Sequence, residues 1–336
     1  MQIKLGLFLL NQFQPGDNMD LKLKEMIEQV RRARLNGFRS LWAGQHFLTK
    51  PLQMFQSLPL LSRLIPEAEG MMIGPNILIL PLLNPVEVAE ESVTMDHLTG
   101  GRYVLGVGLG YRDEEFLIFN VSKSERVGRM KESIELIRKL WTEDIVNYTG
   151  EFFRVPGLGL GARPVRKNGP PIWIGASVDP AIKRAAQIGD AWLITFYPSI
   201  SWLTEQMKLY QSALQEVGKP MPEDVPILRE CYVSTDYQSA LDAARPAIET
   251  KYASYASWGQ DRFLPDKEKF DQPFEKFMKD RFIIGDPAFV RDEIQRYYDV
   301  LGVNHFILRV QWPGLDQEMV LKSIDLLGEK VIPHLS

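Results

Sequence analysis

Apolar and polar positions along this chain follow two periods in turn. Short continuous apolar runs, of which residues 3–10 are the first, suit buried strands. Longer stretches between them repeat apolar residues every three or four positions, as amphipathic helices do. The first runs over 21–36, where Leu23, Ile27 and Val30 keep the period, Asp20 stands at a capping position and Asn36-Gly37 stops the run. A strand at 38–43, a helix at 54–65, a strand at 72–80, a helix at 85–98 and a strand at 102–107 follow. Residues 126–141 predict a strong helix, with Ile134, Ile137, Leu140 and Trp141 on one face. After a strand at 171–175, Asp179-Pro180 opens a helix to Ile188 with proline in its first turn. Strands at 191–196, 225–234 and 304–310 then alternate with helices at 201–217, 239–255, 288–301 and 317–332.

Eight strand candidates, each followed by helix, imply a parallel sheet, because parallel strands need crossover connections. In a chain of 336 residues the pattern fits a (β/α)8 TIM barrel spanning 1–336 as a single domain. A doubly wound sheet is the competing α/β architecture. Two stretches exceed ordinary loops: 148–170, with Val155-Pro156-Gly157-Leu158-Gly159-Leu160-Gly161 at its centre, and 256–282. Insertions of that length are commonly functional, often as lids.

Composition narrows the function classes. Lys and Arg number 39 against 43 Asp and Glu, a net charge of −4, so no basic excess drives nucleic-acid binding. Cys231 is the only cysteine, which excludes an internal disulfide and polycysteine metal sites. No apolar run is long enough for a bilayer, and residues 5–10 are too short for a signal sequence. A soluble, cytoplasmic protein without membrane partners is the expectation.

In a barrel the chemistry gathers at the C-terminal ends of the strands. There this chain offers aromatic residues, glycines and few acids or bases. Of its four histidines only His46 stands at a strand end, and Glu230 is the one strand-end carboxylate. No HExxH, GxSxG or GxxxxGK[ST] pattern and no metal-ligand spacing occurs. Gly106-x-Gly108-x-Gly110 misses the dinucleotide fingerprint, and tight strand-to-loop packing accounts for it equally well. Such a rim suits an organic cofactor that carries the reaction. Ser177, just before the helix opened by Asp179-Pro180, offers free backbone N–H groups as an anion cradle. Arg126 and Arg129 supply either phosphate contacts or a solvated pairing with Glu132, and Asp96 suits a bond to a nearby loop backbone.

Several blocks then go together. Leu80-Pro81-Leu82-Leu83-Asn84-Pro85, Met95-Asp96-His97-Leu98-Thr99-Gly100-Gly101-Arg102 and Gly106-Val107-Gly108-Leu109-Gly110-Tyr111 are followed in order by Gly169-Pro170-Pro171-Ile172-Trp173-Ile174-Gly175-Ala176-Ser177, Gly189-Asp190-Ala191-Trp192 and Gly285-Asp286-Pro287. Their order from Ile3 to Pro333 resembles the bacterial luciferase-like flavin-dependent oxidoreductases. The resemblance implies a (β/α)8 barrel, commonly a homodimer, acting on a small organic substrate. It also implies reduced FMN supplied by a separate flavin reductase and used with O2, which makes a two-component FMN-dependent monooxygenase the first reading. The alternatives are a deazaflavin-dependent dehydrogenase or reductase working by hydride transfer, and a non-catalytic flavin-binding protein.

By the same resemblance His46 is the catalytic position. Phe8, Asn76, Ile77, Leu109, Gly110, Tyr111, Arg126, Gly175, Ala176, Ser177, Val178 and Thr195 are the cofactor-binding positions, with a non-proline cis peptide expected at Asn76–Ile77 and a mobile loop at 256–282. The chain departs from luciferase itself. Gln45-His46-Phe47 has one histidine where luciferase has two, Gly108 stands at its reactive cysteine and Leu109 at an arginine. These departures argue against light emission from a long-chain aldehyde.

Overall fold

The computed structural model describes residues 2–335 apart from 258, 260, 262, 263 and 265–267. Eight parallel strands form the wall: β1 (Lys4–Leu9), β2 (Ser40–Ala43), β3 (Met72–Pro75), β4 (Leu105–Gly108), β5 (Ile172–Ala176), β6 (Ala191–Ile194), β7 (Pro226–Val233) and β8 (His305–Arg309). Hydrogen bonding runs from β3 through β2 and β1 to β8, then back through β7, β6 and β5 to β4. A parallel bridge between Ile73 and Tyr103 brings the two ends of that path together. The architecture is therefore the expected barrel. The run predicted as one strand over 72–80 is divided: Asn76–Ile77 is cis, and Leu78–Ile79 forms a short ninth strand beside β4.

The helices are α1 (Met19–Leu35), α2 (Ser57–Leu64), α3 (Pro85–Leu98), α4 (Asp113–Ile118), α5 (Arg126–Thr142), α6 (Asp179–Ile188), α7 (Ile200–Glu216), α8 (Tyr237–Ser257), α9 (Phe274–Met278), α10 (Pro287–Leu301) and α11 (Gln317–Leu326). Helix α1 begins earlier than its apolar period, because Asn18 rather than Asp20 accepts the backbone N–H of Leu21. Asp286 caps α10 as its Asp-Pro pair predicts. The closing helix gives way to a wider turn over Leu327–Val331 instead of continuing to 332. No helix among the described residues is long and apolar enough to cross a membrane.

Both long insertions contain structure that their composition hid. In the first, strands Val146–Thr149 and Arg154–Leu158 pair as an antiparallel hairpin. The Glu132 carboxylate accepts the backbone N–H groups of Glu151, Phe152 and Phe153 at its turn. Glu132 is thus spent on the hairpin and does not pair with Arg129, whose guanidinium lies over Phe152 and Phe153 and donates to the Pro81 carbonyl. Asp96 accepts from the backbone of Val165 and Arg166, the loop bond its position suggested. In the second, α8 extends to Ser257, α9 follows, and Ile283–Gly285 adds a parallel strand to the end of β7. Residues 258, 260, 262, 263 and 265–267 of that predicted lid lie outside the described residues.

The N-terminal end of the barrel is plugged. Trp42 and Trp173 stack with ring centres 5.0 Å apart, and His305 meets both edge-on. Ser40 bonds Trp42 Nε1 (2.7 Å) and His305 Nε2 (2.6 Å), and Asp224 holds His305 Nδ1 (3.2 Å) and Lys4. Gly6 makes room for this layer, since a Cβ there would fall 2.0 Å from Ser40 Oγ. The opposite end is left to carry the site.

Candidate active site

At the C-terminal mouth, the segment after β2 turns His46 toward α4. Its Nδ1 lies 3.0 Å from Oε1 of Glu115, which is fully buried. The same oxygen accepts from the Phe47 backbone (2.9 Å) and from Arg112 (3.4 Å). A carboxylate surrounded by donors acts as an acceptor, so the arrangement puts a proton on Nδ1, and in the neutral imidazole it is Nε2 that has the lone pair. The His46 side chain retains 22% of its exposure, so Nε2 can be reached. Its ring packs edge-on to Tyr111 at 5.7 Å. Burial, and next Tyr255, push the Tyr111 hydroxyl far above the usual phenol range, so it remains a donor at neutral pH. Burial raises Tyr197 as well, although Ser177 and Thr195 beside it pull the other way.

The remaining positions assigned from sequence line the same end of the barrel. Phe8, next to last in β1, lies close to Gly44, where an added Cβ would sit 3.4 Å from the Phe8 ring and 3.6 Å from the Asn76 carbonyl. The Ile77 side chain occupies the space beneath two glycines. A Cβ would approach it to 2.9 Å at Gly108 and 3.3 Å at Gly175. After β4, Leu109 leads to Gly110, whose φ of +74° suits glycine, and to Tyr111. The Gly110 carbonyl accepts from Arg126, which begins α5.

Gly175 and Ala176 end β5, and Ser177 and Val178 lead into α6. Thr195 follows β6. Gln206 reaches across from α7 to donate to the Ser177 carbonyl. Arg184, on α6, is buried, and its acidity is raised first by burial and then by the like charge of Arg126. The Arg126 guanidinium is near enough to repel that of Arg184, and a phosphate or other multivalent anion would offset the repulsion.

A polar ligand fits this surface. Asn76 Nδ2, Gln206 Oε1 and Arg184 Nε are buried and make no hydrogen bond, whereas most buried polar atoms are satisfied. Asn76 is among the positions expected from sequence, whereas Gln206 and Arg184 are not, because helical periodicity makes them ordinary α7 and α6 positions. Nor is Glu115 evident from sequence: Asp113-Glu114-Glu115 has the pattern of an acidic, solvated helix start, and only the fold buries its third member.

On the β7–β8 side, Glu230 accepts from Trp312 Nε1 (2.6 Å), Arg309 (3.3 Å) and Lys251. Phe8, Phe196, Tyr252 and Tyr255 surround these charges.

A profile of luciferase-like monooxygenases matches residues 3–305. The chain belongs to that family. It is accordingly an oxidoreductase of the luciferase-like class. A glucose-6-phosphate dehydrogenase described as F420-dependent, from Amycolatopsis mediterranei (strain U-32), is 27% identical over 327 residues, covering 93% of this chain and 94% of its own. Among solved structures, the FMN complex of the oxygenating constituent of 3,6-diketocamphane monooxygenase from Pseudomonas putida superposes with a TM-score of 0.79. It shares 16% identity and covers 100% and 99% of the two chains. An F420-dependent secondary alcohol dehydrogenase bound to an F420–acetone adduct gives 0.78, with 22% identity and 99% coverage of both chains. At those identities the two structures speak for the luciferase-like barrel alone.

Proposed function

We propose that this luciferase-like chain is a deazaflavin-dependent oxidoreductase that interconverts a hydroxyl compound and its carbonyl product. The observation that carries the reading is the His46–Glu115 pair. Oxidation of an alcohol needs a base at the hydroxyl, and His46 Nε2 is an accessible one whose other nitrogen is already oriented. When bound, the deazaflavin supplies the hydride acceptor. His46 takes the hydroxyl proton, and Glu115 balances the imidazolium that forms. Arg126, Arg184 and the backbone from Gly175 to Val178 hold the cofactor's phosphoryl group. Phe8, Asn76, Ile77, Leu109, Gly110, Tyr111 and Thr195 contact the rest of it. Relatives named as F420-dependent dehydrogenases support this reading over nearly the full chain.

A two-component FMN-dependent monooxygenase, served by a separate flavin reductase, is the second reading. The aromatic cluster of Phe8, Phe196, Tyr197, Tyr232 and Tyr252 favours it, because oxygenation requires water to be kept out. One experiment separates the two. The protein is titrated anaerobically with deazaflavin and, in parallel, with FMN. The deazaflavin complex then receives a panel of primary and secondary alcohols, and the reduced FMN complex receives O2 and candidate substrates. Tighter deazaflavin binding and alcohol-dependent bleaching support hydride transfer. Preferential binding of reduced FMN with O2-dependent product would replace it by the oxygenase reading.

A further inference from the structure

The β7–β8 side of the mouth carries an imbalance of charge. Among the described residues, one carboxylate, Glu230, faces two cations, Lys251 and Arg309, and all three side chains are one-tenth exposed or less (0%, 10% and 9%). Burial alone would raise the Glu230 pKa, but the charges of Lys251 and Arg309 outweigh it and keep the group ionised. Burial, followed by repulsion from Arg309, brings Lys251 down to about 7 despite the pull of Glu230. One carboxylate therefore does not hold both groups fully cationic, and an added anion would favour the protonated form of Lys251.

The cations also lie against aromatic rings at the mouth. The Arg309 guanidinium lies 4.4 Å from the centre of the Phe8 ring and 5.2 Å from that of Phe196, and its Nε makes no hydrogen bond. Lys251 sits 4.7 Å from the centre of the Phe196 ring. Phe8 in turn adjoins Gly44 and the Asn76 carbonyl, so Arg309 borders the surface assigned to the cofactor. An unbalanced charge in a low-dielectric site is costly, and an anionic ligand relieves it. A guanidinium fork with one face against rings is well suited to carboxylate or phosphoryl oxygens.

We infer that the substrate is an anion whose carboxylate or phosphoryl oxygens are bound by Arg309 and Lys251, with Glu230 as their internal counter-charge. The inference rests on the proposed function in taking the mouth as the substrate chamber, and it makes Arg309 and Lys251 specificity residues.

The test is calorimetric and needs no turnover. Lactate is compared with propane-1,2-diol, and glycerol 3-phosphate with glycerol, on the chain alone and on the chain loaded with whichever oxidised cofactor it binds. At least one anion binds about tenfold or more tighter than its neutral counterpart, as charge-assisted hydrogen bonds predict. Arg309→Gln and Lys251→Met each remove most of that preference and leave the neutral ligands unchanged, whereas Arg309→Lys restores part of it. The preference persists in the cofactor-loaded chain, where the α6 cradle is filled, which separates this site from that cradle. Circular dichroism and thermal unfolding confirm which variants are folded. Equal binding of anion and neutral ligand, no anion binding in either form, or folded Arg309→Gln and Lys251→Met proteins that both keep the preference would overturn the inference. The cofactor titration described above judges the hydride-transfer reading independently.

Discussion

The barrel holds two histidine–carboxylate pairs at opposite ends, and they do different work. At the N-terminal end His305 spends both nitrogens, on Ser40 and Asp224, and is enclosed by Trp42 and Trp173. At the mouth His46 spends one nitrogen on Glu115 and keeps the other for a ligand. Both pairs have similar contact distances, 3.2 and 3.0 Å. Proximity to a carboxylate is therefore a poor guide to catalysis. What distinguishes the pairs is the state of the second nitrogen and its access to solvent.

Four measurements sharpen that contrast, beginning with the largest effect. Replacing His46 by Asn should lower kcat/KM by about 100- to 10,000-fold, the range for a lost general base, while the protein unfolds at nearly the same temperature. A His46→Asn enzyme of full activity would remove the proposed role. At the other end the expectation reverses. His305→Ala should cost about 3 kcal/mol in urea unfolding, because Asp224 and Ser40 lose a buried partner, yet leave cofactor affinity in the folded fraction unchanged. A selective loss of cofactor binding would show that the plug communicates with the mouth.

Arg184→Gln comes next. It should weaken binding of a phosphorylated cofactor by about 1–3 kcal/mol and leave affinity for the isolated ring system, riboflavin or its deaza analogue, unaltered. Equal losses for both ligands would mean that Arg184 only supports α6.

The smallest effect is a pH dependence. Burial works to raise the Asp224 pKa, but the bonds and charges of His305 and Lys4 prevail and bring it from 3.8 down to about 2. A depressed carboxylate stabilises the fold above its unfolded pKa, and that contribution disappears as pH falls from about 4 to about 2. It amounts to roughly 2 kcal/mol, so unfolding measured at pH 6 and pH 3 should differ less in Asp224→Asn than in the parent. Parallel pH profiles would dissolve the predicted linkage.

The barrel was legible because strands and helices here carry strong, separate periods. Helices α3 and α6 occupy the residues predicted for them. Elements closed by long-range contacts were not legible. Val155-Pro156-Gly157 looks like loop, and its strand exists because Glu132, distant in sequence, secures the adjoining turn. Ile283–Gly285 is too short to show a period and is defined by pairing with β7.

The site divides in the same manner. His46 stood out as the histidine at a strand end, and the run from Gly175 to Val178 as a helix entrance. Glu115, Arg184, Lys251 and Arg309 gave no comparable signal. Each is a charged residue on a helix or at a strand end whose importance comes from burial, and burial is a property of the closed barrel.

The Ile77 side chain has one further consequence. It fills the volume that Gly108 and Gly175 leave open, so these three positions share a fixed sum of volume. A methyl group added at Gly108 must displace Ile77, whereas the same addition beside a shortened residue 77 meets little resistance. The base of the mouth can therefore be reshaped by exchanging volume between neighbours. Its contour belongs to the trio jointly, and a change that is damaging alone becomes acceptable in a matched pair.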